Sequence, residues 1–128
     1  MPVFDVAGPE TFIAVAGLGL IGLVIMTAVI VGLEAAILIV LKWGTPGRSL
    51  LAALVMNAVT TLVGFLVLLS PVGLFLDFVL SVLIEGVILM LFNRGALRKN
   101  WIAALAANGG SYLFVILPVY LLVFVFLT

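Results

Sequence analysis

Four side chains stand out in a chain that is almost free of charge: Glu34, Asn57, Glu85 and Asn108. Carboxylates and carboxamides in an apolar setting can take up protons, or hold hard cations through oxygen. One interval relates them. Fifty-one positions separate Glu34 from Glu85, Asn57 from Asn108, and the turn glycines Gly44 and Gly95. The match extends to Gly22-Leu23 on Gly73-Leu74, Ala52-Ala53-Leu54 on Ala103-Ala104-Leu105, and Thr60 on Ser111. Leu and Ala coincide easily in such a chain, but scarce polar residues do not. The pattern reads as a duplicated helical hairpin with halves at about 22–70 and 73–121, and such internal repeats are a known construction of transporters and channels.

The elements that carry these residues follow from composition. Of 128 residues 67% are hydrophobic and 8% charged, with mean hydropathy +1.59, against about 45–50% apolar and about 25% charged in soluble domains. The chain reads as an integral membrane protein, and its spans must be helices, because lipid leaves no unpaired backbone group satisfied and the apolar runs far exceed barrel strands. Four runs are expected to cross, at about 11–41, 50–69, 72–92 and 101–127, within a single membrane domain over 1–128. The fold class is all-α, four transmembrane helices built as two tandem hairpins.

Composition also excludes functions. Cys and His are both absent, which removes thiolate and imidazole metal sites, disulfides, and Ser/His or Cys/His nucleophile pairs. A metal site would be all oxygen, and no organic cofactor is indicated. Five basic and five acidic residues balance, so no bulk attraction to nucleic acid is implied. No basic segment precedes the first apolar run, and that run is too long for a signal-peptide core, so Met1 onward is expected to be retained.

Gly8-Pro9-Glu10-Thr11 reads as a helix start, with proline in the first turn and a carboxylate at the positive end of the dipole. About 31 residues follow, roughly 46 Å against a hydrocarbon core of roughly 30 Å. Gly17, Gly19 and Gly22 mark a place for a bend or close contact, and Ala28, Gly32 and Ala36 form a small-residue stripe that reads as a packing seam. Gly44 and Pro46 are expected to end the first helix, as Gly95 ends the third. Ser70-Pro71 reads as the reversal between helices 2 and 3, and Pro118 as a kink in helix 4. Lys42, Arg48, Arg94, Arg98 and Lys99 all lie in two turns, while Asp5, Glu10 and the uncharged Leu69-Ser70-Pro71 turn lie opposite. The positive-inside rule then puts the basic turns in the cytoplasm and both termini outside, with Trp43 and Trp101 at the interface. The expected setting is a prokaryotic cytoplasmic membrane.

Each of the four polar residues stands eight or nine positions from its basic turn, which is about 12 to 14 Å along a helix and near the bilayer midplane. Helices 1 and 3 run the same way, so the repeats are parallel and the four groups can face one axis. Burying an acid there costs about 2.5 to 3.5 kcal/mol on the insertion scale. Protonation or a bound cation offsets that cost. Asp77, Ser81 and Glu85 follow at four-residue intervals on one helix stripe, helix 2 adds Thr60, Thr61 and Gly64, and helix 4 adds Ser111 and Tyr112. Asp77 has Met26 as its counterpart, so a path to the centre would have a distinct outer mouth.

Three readings fit these residues: hydrogen-bonded clamps within each hairpin, a site for a proton or small cation, and a polar docking surface for another membrane subunit. An enzyme fits least, because the chain has no Gly-x-Gly-Asp, no Glu-Glu-x-x-x-Arg and no phosphate-binding glycine loop. Small four-helix exporters and fluoride channels are similar in size only, since their weak charge bias and dual topology are not this chain's. The expectation is a transporter or channel-like protein handling a proton or small cation at Glu34 and Glu85, with Asn57 and Asn108 as neutral ligands. Its partners are the lipid bilayer and further copies of itself. The alternative is a non-catalytic, accessory subunit of a larger membrane complex.

Overall fold

The computed structural model describes residues 9–67 and 73–127, and their side chains over 16–64, 75–122, 125 and 126. Asp5, the Glu10 side chain and the Leu69-Ser70-Pro71 reversal lie outside the described residues. The elements are α1 (Pro9–Val40), α2 (Pro46–Val67), α3 (Gly73–Phe92), α4 (Leu97–Ser111), a π-helical segment (Tyr112–Ile116) and α5 (Leu117–Leu127). The last three run on without a break, and no strand occurs among the described residues. Four stretches are long and apolar enough to cross a membrane: Ala16–Val40, Pro46–Gly64, Phe75–Phe92 and Leu97–Leu122.

α1 packs on α2 and α4, and α3 packs on α2 and α4, so the four spans close into a ring in which chain neighbours are space neighbours. The core is small-residue rich. Ala35, Ala52, Ala53, Ala103 and Ala104 are buried around Leu38, Met56 and Leu89. Small side chains let helix backbones approach, which is what holds helices together where lipid removes the hydrophobic drive. Away from this centre Leu18, Leu20, Ile21 and Val24 of α1 and Leu121, Leu122 and Phe126 of α5 are exposed, as lipid-facing surface should be.

The helix ends differ from expectation in an instructive way. α2 starts at Pro46 and α4 at Leu97, each four residues before the apolar run, so Arg48, Arg98 and Lys99 belong to first helical turns. Hydropathy locates the hydrocarbon, whereas the helix continues beyond it. Neither Gly44 nor Gly95 adopts a positive φ; Lys42 does, at 52°. The N–H of Lys42 bonds to the Ile39 carbonyl and that of Trp43 to the Leu38 carbonyl, both at 2.9 Å. This is a Schellman ending with Lys42 in the place usually held by glycine. Pro118 has no N–H to offer the preceding turn, and the helix there widens into the π segment one turn earlier.

The basic end ties the two hairpins together. Trp43 Nε1 donates to Asn100 Oδ1 at 2.7 Å, and Asn100 Nδ2 donates to the Asn93 carbonyl at 2.8 Å. Trp43 is 3% exposed, so this indole turns inward instead of facing the interface, because Asn100 supplies its N–H with a partner inside the bundle. Trp101 lies over Gly86 on α3 so closely that a Cβ at Gly86 would meet ring atoms at 2.2 Å. The Arg48 guanidinium donates to the Phe92 carbonyl at the end of α3, and Lys99 Nζ donates at 2.5 Å to the Lys42 carbonyl just past α1. Each cation thus sits at the negative end of a helix in the other hairpin, where it is favoured.

The small-residue stripe does not join helices of this chain. Ala28, Gly32 and Ala36 are all exposed, and Cβ atoms built at Gly17, Gly19, Gly22 and Gly32 would meet nothing within 4 Å. α1 is continuous through these glycines. Helical periodicity put the three small residues on one face, but it carries no information on what that face meets.

Candidate functional site

Midway along the bundle each hairpin buries one Glu–Asn pair. Glu34 and Glu85 are both 1% exposed. Asn57 Nδ2 donates to Glu34 Oε2 at 2.5 Å, and Asn108 Nδ2 donates to Glu85 Oε2 at 2.5 Å. The same nitrogens also donate at 3.0 Å to the carbonyls of Ala53 and Ala104, four residues back. Both amide protons are therefore engaged, one holding the side chain against its own helix and the other reaching across to the carboxyl. The amide oxygen is the atom left for a ligand.

Ser111 is buried, donates to the Asn108 carbonyl at 3.2 Å, and stands beside the Glu34 carboxyl. It brings the second hairpin to the acid of the first. Thr60 Oγ1 donates to the Met56 carbonyl at 2.8 Å, which satisfies it within α2.

A second polar group lies nearer the end opposite the basic turns. Tyr112, the first residue of the π segment, donates its hydroxyl to the Asp77 carboxylate and packs edge-on against Phe78 with centroids 5.0 Å apart. Gly64 of α2 makes room for this, since a Cβ there would stand 2.9 Å from Asp77 Oδ1. Ser81, one turn along α3, is buried and faces Tyr112.

A cavity of about 440 Å³, partly open to the outside of the bundle, connects the two groups. Glu34, Asn57, Asn108 and Ser111 line it at the centre, and Asp77, Thr60, Thr61 and Tyr112 line it toward the opposite end. Glu85 and Ser81 are not on its wall, and neither is the stripe of Ala28, Gly32 and Ala36. The sequence constellation is thus divided: one glutamate faces a space and its counterpart does not. No Lys or Arg lines the cavity. Leu23, Met26, Thr27 and Ile30 of α1, Gly64 of α2, Ile116 at the end of the π segment, and Val119 and Tyr120 beyond it complete the wall. Sequence reasoning named Gly64 beside the path, noted Met26 only as the counterpart of Asp77, and missed the rest. Tyr120 had a signal, standing eight residues after Tyr112 and so two turns along the same helix stripe.

Among the described residues no three acidic side chains converge, so an ion held here would draw on one carboxylate and on neutral amide, hydroxyl or water oxygens. A second recess, of about 430 Å³, lies at the basic turns between Leu41 and the first turn of α4, remote from the acids. In comparisons with known protein families, with curated proteins and with solved structures, the chain matches none.

Proposed function

We propose that this membrane protein handles a proton or small cation, and that Glu34 is where the charge is taken up. The observation that carries this reading is the cavity itself: it holds two carboxyl groups, Asp77 and Glu34, together with amides and hydroxyls, and has no cationic wall residue. Field lines in such an acid-lined, low-dielectric space concentrate cations and exclude anions. Asp77 then acts as the outer recruiting group and Glu34 as the inner acceptor. Glu85, clamped by Asn108, stands off the cavity wall and does not meet the ion.

The two hairpins are read as an internal duplication at an offset of 51, and the two Glu–Asn pairs, each with a carbonyl contact four residues back, support that reading. The basic turns are assigned to the cytoplasm, which puts the cavity on the outer side. Cysteines introduced at Thr45 and Ala96 should therefore resist an impermeant thiol reagent on intact cells and react after permeabilisation. Equal labelling in both conditions would mean dual or reversed topology.

The site is tested by thermal unfolding of the purified chain and of Glu34→Gln/Glu85→Gln, with Na⁺, K⁺, Mg²⁺ or Ca²⁺ varied at constant ionic strength. A cation bound by ionised Glu34 stabilises the fold by about 2.7 kcal/mol at a hundredfold excess over its dissociation constant. Protons compete for the same oxygens, so this stabilisation is present at high pH and lost as pH falls, and the double variant should show neither dependence. A wild-type melting temperature indifferent to pH and cation alike would leave only the hairpin clamps. A second reading, as a homo-oligomer or an accessory subunit, rests on the outward stripe of Ala28, Gly32 and Ala36, which is a surface of the kind that membrane helices use to meet. Copurification decides it: a defined homo-oligomer in detergent argues for self-assembly, and survival only with another subunit for the accessory role.

A further inference from the structure

The geometry points to an apolar organic monocation, a quaternary or protonated amine with hydrocarbon arms, as the larger ligand of the Glu34 cavity. This inference rests on the reading of Glu34 as a cation acceptor and adds the class of cation.

Size is the first argument. A dehydrated Mg²⁺ or Ca²⁺ is held by six or more oxygens at about 2.0 to 2.6 Å, and such a shell fills a small part of a 440 Å³ cavity. Spaces of about 300 to 1,000 Å³, lined mostly by apolar side chains with a few placed polar groups, suit organic molecules.

The wall chemistry is the second argument. Met26, Ile30, Ile116 and Val119 offer aliphatic and thioether surface, while Tyr112 and Tyr120 add aromatic rings to the wall. Hydrocarbon arms gain by leaving water against such a surface, and quaternary ammonium groups are recognised by aromatic faces. A hydrated metal ion gains nothing from the hydrocarbon surface.

The third argument is the placement of the acids. Asp77 stands eight residues from Glu85 on α3, about 12 Å along the helix, and Glu34 and Glu85 are opposed near the centre of the bundle. The two cavity carboxyls are therefore at separate depths. They cannot share one metal coordination sphere, but they can pass one diffuse positive charge inward. Glu34 carries no cationic partner; its bonded neighbour is the Asn57 amide. A bound monocation would supply the missing charge, in competition with a proton.

The test is equilibrium binding of labelled tetrapropylammonium to the purified full chain in detergent, with tetramethylammonium and Na⁺ as competitors, beside the thermal-unfolding series above. The expected result is saturable binding, at least roughly tenfold tighter for the propyl than for the methyl ion, as a buried methylene contributes about fourfold. Binding should weaken as pH falls and drop at least tenfold in Glu34→Gln. Thr27→Phe, which fills the cavity from a half-buried lining position, should abolish it. That second variant keeps the test decisive if Glu34→Gln does not fold. Unfolding that responds to Na⁺ or pH through Glu34, without saturable tetrapropylammonium binding, would overturn this inference and keep the simpler ion site, a watery vestibule for inorganic ions. Indifference to all of these cations and to pH would overturn both, and organic-cation binding unchanged in both variants would overturn the assignment to this cavity.

Discussion

The two hairpins bury the same pair in the same geometry, yet only the first opens its acid to a space. Glu34–Asn57 and Glu85–Asn108 share bond lengths of 2.5 Å and carbonyl contacts of 3.0 Å. Around them the hairpins diverge. At position 86 the second has glycine with Trp101 pressed onto it, while the first has Ala35, 51 positions earlier. Asn100 bonds to both Trp43 and Asn93, whereas at Ser49, 51 positions earlier, the hydroxyl is buried without a partner. The same Glu–Asn clamp thus stands beside open space in one hairpin and beside close packing in the other.

The largest way to break the comparison is at Gly86. Gly86→Ala would put a methyl group within 2.2 to 2.8 Å of three indole carbons, and the whole Trp101 ring would have to move. Overpacking of this kind costs about 1 to 3 kcal/mol, and the upper end is expected because a rigid ring cannot give locally. The melting temperature should fall by several degrees, while Ala35→Gly in the first hairpin costs only about 1 kcal/mol. Equal losses at the two positions would mean that the packing difference is unimportant.

The clamps themselves give a smaller contrast. Asn108→Leu removes the partner of Glu85, which has no cavity to supply water, so about 2 kcal/mol should be lost, within the range for a buried polar group left unsatisfied. Asn57→Leu strands Glu34 beside the cavity, where water or a cation can replace the amide, and about 1 kcal/mol is expected. Thermal unfolding of both variants at neutral pH reads the difference. An Asn57→Leu loss as large as that of Asn108→Leu would show that the cavity does not solvate Glu34.

The smallest effect is a gain. Lys42 holds a left-handed conformation that an L-residue adopts at a penalty of about 1 kcal/mol, and Lys42→Gly should recover most of it because only the Lys42 backbone carbonyl is used by Lys99. No corresponding gain is expected at Asn93, which has no positive φ. A fall in melting temperature on Lys42→Gly would point to an unrecognised role for the lysine side chain.

Much of this was legible in the sequence. The four spans follow from runs of apolar residues that nothing but lipid would tolerate, and the Glu–Asn pairs from scarce polar residues repeating at one interval. The helix ends were less legible. Gly44 carried the stronger propensity for a left-handed position, but the pairing of Trp43 with Leu38 and Asn100 set the ending two residues earlier, at Lys42. Trp43 was read as interfacial because an indole near cations usually is, and its partner is 57 residues away. A polar path to the centre past Asp77 is an expectation of the sequence, but the extent of the cavity and its apolar walls could not be read. Its walls come from every span, and its apolar residues look like any others in a chain so rich in them. The separate fates of Glu34 and Glu85 depend on that space and are invisible to a pattern that treats the two alike.

The crossed capping at the basic end has a consequence for the order in which the protein is made. A nascent chain that has reached only Val67 contains α1 and α2 but neither Lys99 nor Asn100. The carbonyl of Lys42 and the indole N–H of Trp43 then have only water or lipid headgroups to meet, and Arg48 has no α3 end to cap. α1, made before the other three spans, is therefore among the last of them to be finished. Its C-terminal end closes when the ribosome has delivered the start of α4, so the first hairpin waits, inserted but unsealed, for the second.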